Sequence, residues 1–179
     1  MGVDRRRLEE TFSGIADMLD SEDGFQNKAE EILELGTDAL GVEHGHLTRI
    51  VPELEHWEVI ASTDPADGAF PVGETADLRT MSCRHTIDRN ETVAYHDATD
   101  QGWANDVAYE THGLECYAGT PLRFDGGLVG TICFVDESAR VDPFDESEMA
   151  FLDWIVSTLA SELQVQERKL ALESQSRLV

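Results

Sequence analysis

Three cysteines and six histidines are the side chains of this 179-residue sequence best suited to chemistry, and most of them fall in its middle. Cys83-Arg84-His85 sets a thiol two residues from an imidazole, His112-x-x-x-Cys116 repeats the combination, and Cys133 follows. His46, His56, His85, His96 and His112 share the stretch from Gly45 to Cys116 with two of the thiols. One chemistry open to such a set is metal binding. Cys83, His85, His112 and Cys116 would supply the four tetrahedral ligands that zinc takes, although Cys-x-His is not a usual finger spacing. A second is thiol chemistry, which needs a thiolate and therefore a cation or helix N-terminus nearby. Arg84 and His85 stand close enough in sequence, against the field of an acidic chain. The third is non-catalytic: Cys83, His85, Tyr95, Trp103, Tyr117 and Cys133 lining a mostly apolar small-molecule pocket with a few polar groups. Each competes with a plainer reading, since free cysteine is among the most buried residue types and the aromatics also suit an ordinary core. The ligand pocket is the favoured expectation, with no catalytic residue, no metal and an unidentified ligand or cofactor.

The other glycine-rich and basic stretches carry less. Gly126-Gly127-x-x-Gly130 is followed by a strand-like run and by no Lys-Ser/Thr, so it is not a phosphate loop. Arg5-Arg6-Arg7 is too short for a nucleic-acid arm. The formal net charge is -24, from 37 acidic and 13 basic residues, and only Lys28 and Lys169 are lysines. The acids run along the whole chain. Such a surface repels DNA and anionic lipid at ordinary salt, so direct nucleic-acid or membrane binding is not expected. It suits a protein kept soluble in molar salt, where the Debye length falls to about 3 Å. An odd number of cysteines argues against a disulfide scaffold and for a reducing cytosol. No apolar run approaches the ~20 residues that span a bilayer, and no apolar stretch follows the N-terminal charges as in a signal peptide. The expected location is the cytoplasm.

The elements that must position these residues centre on Cys116 to Asp136. Two apolar runs meet there at Asp125-Gly126, the strongest short-range hairpin signal. The second run is apolar on both alternations, with Leu128, Ile132 and Phe134 on one and Val129, Cys133 and Val135 on the other, so it is expected to be covered on both faces. Upstream, Leu8, Phe12, Ile15 and Leu19 form one apolar stripe on a helix over Asp4 to Asp20, and Phe25 to Leu40 forms a second helix stopped at Gly41. Strands are expected at Gly45 to Val51 and His56 to Ser62, a short one at Phe70 to Glu74, and another at Thr92 to Ala98. Between them Thr75 to Asn90 should hold a short helix, and Asp100 to Gly113 a helix or helical loop. Asp145 is a good N-cap with Glu148 as capping-box partner. The helix beyond has a wide apolar face, then a narrower seam through Leu163 and Leu170 that suits a partner helix.

These pieces resemble a GAF domain, a small sensory module of signalling proteins. Tyr117-x-Gly119-x-Pro121-Leu122, Gly127-x-x-Gly130-Thr131-x-x-Phe134-x-Asp136 and Phe144-x-x-x-Glu148 look like its C-terminal half. Cys83-Arg84-His85-Thr86-Ile87, Val93-Ala94-Tyr95-His96-Asp97 and Gly102-Trp103-Ala104 are similar to the sub-type of haloarchaeal sensor histidine kinases and bacterio-opsin-activator-like regulators. The resemblance covers about Phe25 to Leu163. It implies an α+β fold: a central antiparallel sheet, long terminal helices on one face and a ligand-pocket segment on the other. Residues 1–24 would be a dimerisation or signalling helix, 25–163 the GAF domain, and 164–179 a helical linker towards a missing or separate output domain.

The resemblance also bears on chemistry. Bilin-binding GAF domains use a Cys-His pair, but it sits one strand later than Cys83-Arg84-His85, and no Asp-Ile-Pro element is present. Free methionine-(R)-sulfoxide reductases carry cysteines in this region. Cys83 falls near one such position, Cys116 is several residues out of place for the next, and the third is missing. The Asn-Lys-x-Phe-Asp-like signature of cyclic-nucleotide GAF domains is absent. What the resemblance implies is a non-enzymatic sensory domain of a signal-transduction protein. It would bind a small molecule or respond to redox state and relay the change through a homodimer's flanking helices to a downstream kinase or transcriptional output. A thiol-dependent reductase, a Cys/His metal module and a purely dimerising module are the alternatives.

Overall fold

The computed structural model describes residues 5–19 and 24–177. Its backbone follows the order α1 (Arg5–Leu19), α2 (Phe25–Leu40), β1 (His44–Val51), β2 (His56–Ser62), β3 (Thr75–Asp77), α3 (Cys83–Arg89), β4 (Val93–Tyr95), α4 (Val107–His112), β5 (Cys116–Phe124), β6 (Gly127–Asp136) and α5 (Glu146–Arg177). The six strands form one antiparallel sheet in the order β3-β2-β1-β6-β5-β4. The β5–β6 hairpin therefore sits beside β1 at the centre. Its turn is Asp125-Gly126, with φ of 51° and 78°, between the paired Phe124 and Gly127. Both turn residues take the positive φ of a primed two-residue turn, which matches the strands' twist.

Both faces of this hairpin are covered, as its double apolar alternation requires. Ile132 and Phe134 point into one core with Leu33, Leu40, Phe151, Leu152 and Ile155 from α2 and α5, and Leu8 and Ile15 of α1 join it. Phe12 and Leu19, the other members of the expected α1 stripe, have side chains outside the described residues. Cys133 and Val135 point the opposite way, towards Trp57, Phe70, Cys83 and Tyr117 under α3 and α4. Helix α5 begins with the expected reciprocal cap: Glu148 N–H donates to Asp145 Oδ1 at 2.8 Å, and Asp145 N–H to Glu148 Oε1 at 3.0 Å. Glu148 is fully buried and its carboxylate also takes two bonds from Arg140, at 3.1 and 2.9 Å.

Two segments depart from expectation. The strand expected at Phe70 to Glu74 forms instead at Thr75–Asp77, where Trp57 pairs with Ala76. Pro71 has no N–H to give a ladder, and Phe70's own N–H and C=O are taken by the side chains of Asp64 on the same loop and Ser62 at the end of β2. Within Asp100 to Gly113 only Val107–His112 is helical. The earlier part folds into turns around Gln101, whose Oε1 accepts from the N–H groups of His96 and Asp97. Among the described residues no helix is long and apolar enough to cross a membrane.

Candidate functional site

On the face away from α2 and α5, the sheet and α3 enclose a cavity of about 20 Å³, room for roughly one water. His46, Trp57, Phe70, Met81, Cys83 and His112 line it, with Tyr117, Cys133 and other apolar groups. It adjoins an outer cleft of about 590 Å³ whose walls include Glu43, His44, Asp64, Asp136 and Glu137. Phe70, His112, Leu114 and Val135 belong to both spaces. Phe70 is the aromatic centre of this partition. Its ring meets His46, Trp57 and His112 edge-on at centroid distances of 5.3, 5.7 and 5.3 Å.

The partition is held by the loop after β2. Asp64 Oδ2 accepts from Phe70 N–H at 3.0 Å, and Ser62 Oγ donates to Phe70 C=O at 2.8 Å. The same carboxylate draws in two imidazoles. His46 Nε2 lies 3.0 Å from Oδ2, and His44 Nε2 lies 2.9 Å from Oδ1. Side chains two apart on a strand share a face, so His44-x-His46 on β1 puts both rings on the pocket side. Burial opposes charge on Asp64, yet the bonds from His46 and Phe70 N–H and the charge of His44 hold its carboxyl below the usual range. Burial pushes His46 below its ordinary value despite Asp64 beside it. Neutral His46 then carries its proton on Nε2, towards the carboxylate. That leaves the Nδ1 lone pair facing Cys133 Sγ at 4.0 Å.

Cys83, the first residue of α3, sits at the centre of a ring of donors. Thr131 Oγ1 donates to its sulfur at 3.2 Å, and Thr48 Oγ1 lies 2.7 Å behind Thr131 Oγ1. Cys133 and Tyr117 stand beside the sulfur and also favour its charged form. Together, led by Cys133, they outweigh burial and bring the Cys83 thiol down to about 6. The Cys133 thiol is pushed up, first by the neighbouring Cys83 sulfur and then by burial. Tyr117 can lie flat on this floor because Gly119 has no side chain: a Cβ there would meet the Tyr117 hydroxyl at 2.0 Å. Two polar atoms lining the cavity remain without a hydrogen-bond partner, Trp57 Nε1 and His112 Nε2. The first belongs to a side chain only 1% exposed. Buried donors normally find an acceptor, so this one marks a place for a ligand atom or a water.

The six residues expected to bind a ligand divide into two groups. Cys83, Tyr117 and Cys133 line the cavity. His85, Tyr95 and Trp103 form a stack beside it. Trp103 contacts His85 and Tyr95 at 4.9 Å each, and Tyr95 continues to Tyr117 at 5.6 Å. His85 Nε2 and Arg84 both bond Asp106 Oδ2, at 2.7 and 2.8 Å, and Asp106 caps α4 through Ala108 N–H. His85 thus ties α3 to α4. The alternative metal set does not converge. Cys116 points into the α2–α5 core while Cys83 and His112 face the cavity, and no group of three or more metal-ligating side chains forms among the described residues. His44, His46, Trp57, Asp64, Phe70 and His112 were not among the expected pocket residues. The one local signal was His44-x-His46. Asp64 joins it only when β2 folds back to pair His46 with Ser62.

Known structures share this architecture. The GAF domain of a phosphoenolpyruvate-protein phosphotransferase from Acinetobacter superposes with a TM-score of 0.71 at 14% identity, over 90% of this chain and 95% of that one. Free methionine-R-sulfoxide reductase from Neisseria meningitidis, in complex with its substrate, gives 0.67 at 15% identity, covering 92% and 90%. The phycocyanobilin-bound GAF domain of a cyanobacterial phytochrome gives 0.67 at 14%, covering 87% and 93%. At such identities the likeness is one of fold. No curated protein sequence matches the chain. The family model of the GAF domain matches residues 24–163, and with that match over most of its length the chain belongs to the GAF domain family.

Proposed function

We propose that this chain is the sensory GAF domain of a signal-transduction protein, taking a small molecule into the space that Phe70 now divides. The observation that carries the reading is the unpartnered indole N–H of Trp57 inside a cavity that adjoins a wider cleft. Movement of Phe70 would join the two spaces and offer that N–H to an acceptor on the ligand. Cys83, Tyr117 and Cys133 would floor the enlarged pocket, with His85, Tyr95 and Trp103 behind its roof. Solved structures of this fold include a reductase in complex with its substrate and a phycocyanobilin-bound GAF domain, which supports a small-molecule role without naming the molecule.

The relay would run through the central strands. Cys133 and Val135 face the cavity, while Ile132 and Phe134 of the same strand face α2 and α5, so a shift of β6 reaches both helices. Helix α5 continues beyond the sheet with Val165, Leu170 and Leu172 exposed. That surface suits a homodimer through the terminal helices, with a kinase or transcriptional output domain downstream. The acidic surface favours operation in concentrated salt inside the cell.

A thermal-shift screen of small polar metabolites in molar potassium chloride tests the reading. At least one compound should raise the melting temperature of the wild type, and the rise should vanish in Trp57→Phe. A panel that leaves the wild type unmoved, or hits indifferent to Trp57→Phe, would favour a purely dimerising module with a closed pocket.

A further inference from the structure

The cavity floor holds a second arrangement that ligand binding alone does not use. Asp64, His46, Cys133 and Cys83 form a continuous line. The carboxylate holds His46 by Nε2 at 3.0 Å, the other ring nitrogen faces Cys133 Sγ at 4.0 Å, and Cys133 shares the small cavity with Cys83, whose sulfur accepts from Thr131 Oγ1 at 3.2 Å. A carboxylate that orients an imidazole, whose far nitrogen faces a thiol, is how a sulfur nucleophile is prepared for reaction. The line starts at Asp64 on the outer cleft and ends at Cys83 in the cavity. The third thiol, Cys116, lies on the opposite face of the sheet, and burial pushes it up to about 12.

We propose that Cys83 and Cys133 are a peroxide-reactive thiol pair, with Cys83 the attacking sulfur, Cys133 the resolving sulfur, and Asp64–His46 the base that serves the resolving step. The Cys83 thiolate gives an electron pair to one oxygen of hydrogen peroxide. The O–O bond breaks, and the departing hydroxide takes a proton from solvent in the cavity and leaves as water. Cys83 is then a sulfenic acid. Cys133 passes its proton to His46 Nδ1, and its sulfur attacks Cys83 Sγ. The S–O bond breaks, and the second hydroxide takes the proton back from His46. Two thiols and one hydrogen peroxide become one disulfide and two waters.

The groups around Cys83 explain why it attacks first: Thr131 donates to its sulfur and Tyr117 beside it also favours the thiolate, whereas burial holds Cys133 as the thiol. The cavity sets the class of oxidant. At about 20 Å³ it admits a molecule near the size of water and, with Phe70 in place, excludes bulky organic hydroperoxides. A bond from α3 to β6 at this point would tie the pocket roof to the central strand. The inference rests on reading this cavity as the sensing site and gives that site an oxidant as its signal.

The test uses the wild-type chain in molar salt, exposed to hydrogen peroxide and read by intact mass and non-reducing peptide mapping. Loss of two hydrogens, localised to a Cys83–Cys133 link with Cys116 still alkylatable after unfolding, is the expected result. Cys133→Ser should stop at a sulfenic acid on Cys83 that dimedone captures. His46→Gln should form the sulfenic acid at the wild-type rate but close the disulfide roughly 10²-fold more slowly, the low end of what a positioned base contributes. A merely structural role for His46 would slow both steps or neither. Cumene hydroperoxide should react far more slowly than hydrogen peroxide in the wild type and catch up in Phe70→Ala. Thiols that stay reduced in excess peroxide, oxidation that falls first on Cys116, or equal rates with the bulky peroxide would overturn the proposal. Should that happen while a metabolite still gives the Trp57-dependent thermal shift, the small-molecule reading stands and only the peroxide inference falls.

Discussion

On the helix side of the sheet, Ile32, Leu33, Phe134, Phe151, Leu152 and Ile155 interlock at or near zero exposure. On the other side, at similar burial, stand His46, Cys83, Cys133, Tyr117 and an indole N–H with no acceptor. The same strands serve both. Filling a core with apolar side chains stabilises the fold at about 25 cal/mol per Å² withdrawn from water. Burying polar groups does not, unless each finds a partner. The pocket face pairs most of its polar groups and leaves two open. That contrast separates the side that holds the protein together from the side where a second molecule can be felt.

Substitutions on the two faces should therefore differ in kind as well as in size. The largest effect belongs to the helix face. Phe134→Ala leaves a void between α2, α5 and β6 and should cost about 4 kcal/mol, measured by guanidinium unfolding in constant high salt, with no change in thiol reactivity at Cys83. A loss under 1 kcal/mol would mean that this face is not the closed core described. Next comes Glu148→Ala, which removes the side-chain half of the α5 capping box and leaves the largely buried Arg140 without its carboxylate. Breaking such a pair should cost about 3 kcal/mol, and a melting curve that matches the wild type would contradict it.

Phe70→Ala sits on the pocket face. It should cost about 2 kcal/mol, below the range for a closed core because the site already opens to the cleft. The sharper readout is acrylamide quenching of tryptophan fluorescence. It should rise in this variant and stay unchanged in Phe134→Ala; a rise in both would erase the difference between the faces.

The smallest effect is that of pH. Burial holds His46 and His112 below their ordinary value of 6.5, so as the pH drops below about 6.5 the unfolded chain binds more protons than the folded one. Their contribution is complete above that value and is lost as the pH falls towards the folded pKa. The depressed carboxyls of Asp64 and Asp106 extend the loss below 3.8. Melting temperature should fall by on the order of 3 °C between about pH 7.5 and pH 5, and by less in His46→Gln. A rise over that interval would reverse the sign of the burial argument.

The helix face was legible in the sequence because its signals are local and periodic. Double alternation in Leu128 to Val135, the Asp125-Gly126 turn and the Asp145–Glu148 box each specify their structure within a few residues. The pocket face was legible only in part. Cys83, Tyr117 and Cys133 could be placed near a pocket, since a strand's parity and the start of α3 bring them there. His46, Asp64 and Phe70 could not, because their relation exists only after β2 folds back on β1 and the following loop returns Phe70 beneath it. The place of His85 could not be read for the same reason: its partner Asp106 lies 21 residues away, and nothing local says that the imidazole faces it instead of the cavity.

The three tryptophans allow one measurement to compare the regions at once. Trp57 lies at the cavity, Trp103 in the stack behind the roof, and Trp154 against the helix-side core. In a nitrogen–proton correlation spectrum of the labelled chain, each gives one indole resonance. On addition of a compound found in the thermal-shift screen, the Trp57 signal should move strongly downfield as its N–H gains an acceptor, Trp103 should move little, and Trp154 should stay in place. A Trp57 signal that stays fixed while the compound binds, or a larger response at Trp154, would contradict the assignment of sensing to the pocket face.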